Sequence, residues 1–203
     1  MAGPAERLAR ELSAHVRDER VLEAVRAIPR DRFVPPALRA EAWDNIPLPI
    51  GCEQTISQPL VVARMCELLE LRGDEHVLDV GTGSGYHAAL LARLAAHVWS
   101  IERHPELSAA AAAALADCGI GNVSLRVGDG ARGWLEAAPF DAINVAAAAG
   151  GRVPAALEEQ LAPGGRLVAP VEDGQQRLIL VRRTEEGMVE RTQLERVRFV
   201  PLV

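Results

Sequence analysis

From residue 76 onward, short apolar strand patterns alternate with helical ones, and this alternation constrains the fold more than any other feature. Strand patterns occupy HVLDV (76–80), HVWSIE (97–102), VSLRV (123–127), DAINVA (141–146) and RLVAPV (166–171). Helical periodicity fills 85–95, 106–117 and 154–161. Such βα alternation reads as a doubly wound parallel sheet, because parallel neighbours need a crossover connection. The tail, RLILVRRTEEGMVERTQLERVRFVPLV, has strand character on both sides of Glu186-Gly187 and no helix between, which predicts an antiparallel pair at the sheet edge. The expectation is an α/β fold with a mostly parallel seven-stranded sheet and antiparallel C-terminal strands.

Upstream, Leu8, Leu12 and Val16, then Val21, Leu22, Val25 and Ile28, recur at helical spacing and stop at Pro29, predicting two short helices. A proline-rich connector leads to IGCEQTISQP at 50–59, where short polar groups crowd ahead of an apolar helical run. Ser57 is the expected N-cap of that helix, with Pro59 in its first turn. At 203 residues one main unit is the prior. We divide it into an N-terminal helical appendage with a polar loop, 1–58, and a larger unit, 59–203.

Composition narrows the function. A net charge of −6 lacks the basic footprint of a nucleic-acid binder, and 3% aromatic content leaves few rings for stacking bases. All 22 lysine-type or arginine-type residues are arginine, which excludes Schiff-base chemistry on lysine. Cys52, Cys66 and Cys118 form no CxxC pair and the five histidines show no metal spacing, so neither a disulfide framework nor a metal is indicated. Cys52 reads as a small apolar filler. With no signal-type or membrane-length apolar segment, the expectation is a cytoplasmic protein, monomeric, with neither membrane nor nucleic acid as partner.

The stretch VLDVGTGSGYHAALLA carries the chemistry. Its strand ends at Asp79-Val80, and Gly81, Gly83 and Gly85 let the backbone approach a ligand where a helix N-terminus presents free N–H groups. The dinucleotide fingerprint GxGxxG fails at Tyr86. An acid two residues before GxGxG instead resembles the loop of S-adenosyl-L-methionine (SAM) methyltransferases. Asp79 can meet the ammonium group directly or through water, Glu102 ends the second strand where a carboxylate can accept from ribose hydroxyls, and Asp129 in VGDG can accept from an adenine amino group. The candidate cofactor set is Asp79, Gly81, Thr82, Gly83, Ser84, Glu102, Asp129 and Gly130.

More of the chain resembles one family. PRDRFVP, PLPIGCEQTISQP, VLDVGTGSGY, VGDGARGW, APFDAINVAAAA, LAPGGRLVAPV and VRFVPL, between residues 21 and 202, are similar to protein-L-isoaspartate O-methyltransferases. The resemblance implies methylation of the free carboxyl of L-isoaspartyl residues in damaged proteins and peptides, opening repair through succinimide. It also implies SAM as methyl donor, S-adenosyl-L-homocysteine as product, no metal, and Ser57 at the methyl-accepting site, with Gln54, Thr55, Ile56 and Ser57 as substrate loop. An aspartyl carboxyl is ionised near neutral pH, with a pKa of about 3.9, so such a reaction needs positioning and no general base. Small hydroxyls suit that task without an arginine clamp.

The chain departs from the family at Cys52-Glu53, where an aromatic and a small or amide residue are common, at Leu60, and where the family's AAAP becomes AAAAGGRVP, a loop one residue longer and expected to be looser without the proline that follows the alanines in the family. Two alternatives stay open: a carboxyl methyltransferase dedicated to aspartyl residues of one peptide partner, and a catalytically silent SAM-binding scaffold. Nucleobase methylation is disfavoured, since NVAAAA replaces an (N/D)PP(Y/F) motif and no Pro-Cys dipeptide occurs.

Overall fold

The computed structural model describes residues 3–202. Helices α1 (Pro4–Leu12) and α2 (Glu19–Ala27) open the chain, followed by a short hairpin, β1 (Leu48–Gly51) and β2 (Gln54–Ile56). The alternating region comprises α3 (Pro59–Leu68), β3 (His76–Val80), α4 (Tyr86–Leu94), β4 (His97–Glu102), α5 (Pro105–Asp117), β5 (Val123–Val127) and β6 (Phe140–Val145). It closes with β7 (Ala149–Gly150), α6 (Ala155–Glu159), β8 (Leu161–Asp173), β9 (Gln175–Arg183) and β10 (Val189–Arg196).

The main sheet runs β10-β9-β8-β6-β3-β4-β5, seven strands, with the two-residue β7 beside β8. Pairing is parallel from β8 through β6, β3 and β4 to β5, and antiparallel at β8–β9 and β9–β10. The central strands are apolar on both faces because helices and loops cover both. Val77 faces one core cluster and its neighbour Leu78 the other, the period-two alternation of a strand. The first cluster joins α1, α2, α3 and α4 to the sheet through Leu8, Leu12, Val25, Met65 and Leu91, so the N-terminal helices share its core. The second gathers Phe140, Ile143, Leu157 and Leu161.

The chain steps outward from β3 to β4 and β5, then returns to place β6 on the other side of β3. That reversal opens a crevice at the carboxyl ends of β3 and β6, where ligands bind in open α/β sheets. Among the described residues no helix is long and apolar enough to cross a membrane.

Four expectations need correction. The expected polar loop is the turn and second strand of a hairpin over 48–56, and its turn, Cys52-Glu53, has both residues left-handed at φ 48° and 58°. Cys52 is exposed there and fills nothing. The N-cap of α3 is Gln58, not Ser57; Pro59 at the first helical position fixes that start. The long loop after β6 is tied on both sides: Ala148 N donates to Val200 O at 2.7 Å, Leu202 N to Ala148 O at 2.8 Å and Gly151 N to Glu172 O at 2.8 Å.

Candidate active site

The glycine loop is shaped by its backbone. Gly81 at φ +91° turns the chain off β3, and Gly81 N and Thr82 N both donate to Ile101 O, at 2.8 and 3.2 Å, folding the loop across the end of β4. Gly85 at φ +88° caps α4, and a Cβ there would stand 3.1 Å from that of Ala111. Only glycine fits both the conformation and the contact.

Beneath the loop lies a buried polar chain. The Asp79 carboxylate accepts from Ser100 Oγ and from Asn144 Nδ2, each at 2.7 Å. Thr82 Oγ1 stands 2.6 Å from Ser100 Oγ, and Asn144 Nδ2 3.2 Å from His87 Nδ1. Burial pushes the Asp79 carboxyl up to about 6, against its hydrogen bonds and with a small push from the charge of Glu102. Burial also holds His87 neutral, its pKa down to about 3, which leaves Nδ1 free to accept from Asn144.

Two cavities meet above this floor. The first is lined by Gly81 and Gly83, Glu102 and His104, Gly130, Gln54 and Thr55, Ala146 and Ala147, and the C-terminal Val200, Pro201 and Leu202. Glu102 is almost fully buried; Oε2 accepts from Gly83 N at 2.8 Å and Oε1 from His104 N at 2.9 Å, so each oxygen keeps a lone pair for a further donor. The second is lined by Pro47, Thr55, Ser57, Gln58, Val61, Ala146, Arg196, Arg198, Phe199 and Val200. Thr55, Ala146 and Val200 belong to both and form the wall between them. Past Gln58, Val61 and Arg196 the second cavity runs into a groove of about 700 Å³ bordered by His15, Arg17, Arg64 and Glu195.

Of the residues singled out in the sequence, Gln54, Thr55, Gly81, Gly83, Glu102 and Gly130 come together on the first cavity, and Thr55 and Ser57 on the second. Ile56 is buried in the core. Asp79 and Thr82 lie in the floor. Ser84 faces a separate depression with Phe33, Ile50 and Leu107, its hydroxyl accepting from Tyr86 N. The Asp129 carboxylate turns to its own chain, accepting from Ala131 N at 2.9 Å and pairing with Arg132 at 3.2 Å.

The family described as protein-L-isoaspartate(D-aspartate) O-methyltransferase matches residues 5–203. A protein-L-isoaspartate O-methyltransferase of Anaeromyxobacter dehalogenans is 57% identical over 190 residues, covering 92% of this chain and 90% of the relative. This chain belongs to the protein-L-isoaspartate O-methyltransferase family. A solved protein-L-isoaspartate O-methyltransferase superposes with a TM-score of 0.86 at 27% identity, covering 97% of this chain and 65% of its own. A second solved structure, a Plasmodium falciparum protein described in complex with S-adenosyl-L-homocysteine, has the same fold, with a TM-score of 0.82 at 24% identity and coverage of 97% and 96%.

Within this isoaspartyl methyltransferase scaffold, sequence reasoning missed two groups. The first is the roof: Gln176 holds the tail by accepting from Phe199 N at 2.6 Å and donating to Phe199 O at 3.2 Å, which sets Arg196–Leu202 over both cavities. The second is Arg30, fully buried, whose guanidinium donates to the carbonyls of Ala42, Ile46 and Ser57 and packs 5.7 Å from the Tyr86 ring. Burial lowers its pKa to about 10, still well above neutrality, so it is a charged staple between the connector and the Ser57 backbone.

Proposed function

We propose that this chain methylates the free carboxyl of L-isoaspartyl residues in damaged proteins and peptides, with SAM as donor, and so starts their repair through succinimide. The observation that carries this reading is the shared wall of Thr55, Ala146 and Val200. An in-line displacement needs donor and acceptor on either side of one narrow boundary.

The lining of the first cavity has the chemistry to receive a nucleoside bearing an amino acid. Glycines at 81, 83 and 130 leave room for close approach, and a Cβ on Gly130 would come within 2.5 Å of Val80 Cγ1. Glu102 is the acceptor for ribose hydroxyls, Gly81 and Gly83 frame the amino-acid end, and Gly130 with its neighbour Asp129 borders the base. We assign Asp79, Thr82 and Ser84 to holding the loop from below and behind, with Asp79 supplying buried negative charge near a cationic ligand. SAM supplies a methyl group activated by a sulfonium.

The second cavity takes the acceptor. Its lining holds no Asp, Glu or His, in keeping with a carboxylate that needs no base. Thr55 and Ser57 offer hydroxyl donors, Gln54 and Ile56 fix the hairpin that carries them, and Arg196 and Arg198 at the exposed rim attract the carboxylate without clamping it. The adjoining groove gives the flanking polypeptide a path. On this reading the appendage, 1–58, delivers the substrate loop to the cofactor-binding unit, 59–203. The protein works as a monomer in a reducing cytoplasm, in keeping with three free cysteines.

An isoaspartyl peptide incubated with methyl-labelled SAM tests the reading. Base-labile label released as volatile methanol supports it. Label confined to one protein of a lysate would favour a dedicated partner, and cofactor binding with no transfer would favour a scaffold.

A further inference from the structure

The hairpin turn and the start of α5 bring together three side chains that are distant in sequence. Cys52 Sγ, a ring nitrogen of His104 and a carboxylate oxygen of Glu106 all lie within 4.8 Å of one another. Cys52 and Glu106 are exposed and His104 is half-buried, so the cluster is open to solvent. His104 is the N-cap residue of α5, yet its side chain makes no capping bond, which leaves the imidazole uncommitted. Pro105, between His104 and Glu106, stiffens the backbone that carries both.

We propose that Cys52, His104 and Glu106 form a binding site for a zinc-class divalent cation, and that the bound ion ties the hairpin to α5 at the mouth of the first cavity. One thiolate, one imidazole and one carboxylate are the donor types such ions take, and three protein ligands with an open fourth position make a tetrahedral shell. With bonds of about 2.0–2.3 Å the ligand atoms stand roughly 3.5 Å apart, so closure from 4.8 Å asks only for side-chain rotations. Thiolate and carboxylate together neutralise the dication. Harder ions such as magnesium lack a reason to choose a thiol.

The position gives the site a consequence. His104 lines the first cavity, and Cys52 sits two residues before Gln54, which lines it too. An ion joining them fixes the hairpin that carries Gln54 and Thr55, so ligand exchange through that mouth slows. This second part rests on the proposed methyl transfer; the binding itself does not.

The test is calorimetry of zinc sulfate into the full chain in a non-chelating buffer, repeated with Cys52→Ser and Glu106→Gln, both exposed positions that leave the core intact. One zinc per chain is expected, with proton release from the thiol and affinity lowered at least about tenfold in Cys52→Ser. Cobalt(II) should give an intense thiolate charge-transfer absorption that Cys52→Ser abolishes and Cys118→Ser keeps. Equal zinc affinity in all variants, or a cobalt spectrum without that band, overturns the site as adventitious surface binding. Turnover on an isoaspartyl peptide should fall with zinc and recover with chelator in the unsubstituted protein and not in Cys52→Ser. Zinc bound through Cys52 with turnover unchanged overturns the tether. Absence of any turnover, with zinc binding intact, faults the functional reading and not the site.

Discussion

Raising the pH from about 4 to about 8 should cost this protein stability at one identifiable residue, Asp79. Its carboxyl is fully buried and its pKa stands at about 6, against 3.8 for the ordinary group. The folded state therefore holds the Asp79 proton more tightly than the unfolded chain does. The stabilisation from that proton is complete below about pH 4 and disappears as pH rises through about 6. A shift of roughly two units is worth about 3 kcal/mol, of which about 2.5 kcal/mol falls between pH 4 and pH 8. Other groups titrate over the same range, so the comparison is with Asp79→Asn, which cannot ionise. There the Ser100 hydroxyl and the Asn144 amide can reorient toward the new amide, and any residual mismatch is an offset independent of pH. Urea unfolding of both proteins, at half-unit steps, gives the difference in unfolding free energy. That difference should move by about 2.5 kcal/mol against the native protein as pH rises. A flat difference would mean that Asp79 ionises as readily in the folded state as in the unfolded chain, and that burial does not raise its pKa. The cost marks where the fold keeps a charge under the glycine loop, and the same variant should bind SAM more weakly at pH 8.

Ser57→Ala should lower turnover on an isoaspartyl peptide by roughly ten- to a hundredfold, the worth of one hydrogen bond to a charged group, with SAM affinity by calorimetry unchanged; equal loss of both would make Ser57 a loop-holder. Glu102→Ala should weaken SAM binding by about 1–3 kcal/mol, since it removes the proposed ribose acceptor and frees Gly83 N and His104 N; unchanged binding refutes that role. Arg30→Met should cost about 3–5 kcal/mol in chemical denaturation because buried carbonyls lose a charged donor, and a cost below about 1 kcal/mol would show the staple to be dispensable.

The parts of the fold written in side-chain periodicity were legible. HVLDV, HVWSIE and VSLRV are strands over the predicted residues, and the helix ends at 86–94 and 105–117 fall within a residue or so of expectation. The hairpin at 48–56 was hidden because its turn uses Cys52-Glu53 where a left-handed pair ordinarily signals itself with Asn or Gly. The strand β8 begins five residues before the apolar run that announces it, since LAPGG enters the sheet through Gly164 and Gly165, where glycine obscures strand character.

That Gly81, Gly83 and Glu102 converge on one cavity was legible in residue type and spacing. The roof over both cavities was not, because Val200 and Leu202 act mainly through backbone bonds to Ala148. Arg30 was one of 22 arginines, and only burial distinguishes it. The Cys52, His104 and Glu106 cluster depends on the hairpin being where it is, and its first two members are 52 positions apart in the chain.

The most direct test of the account is a pair of synthetic peptides that differ only in whether one aspartyl residue is linked through its β- or α-carboxyl. Each is incubated with methyl-labelled SAM, and volatile methanol is measured after base treatment. The account predicts sustained methanol release from the isoaspartyl peptide and release at background from its aspartyl isomer. Equal labelling of the two, or none in either while SAM binds, would contradict it.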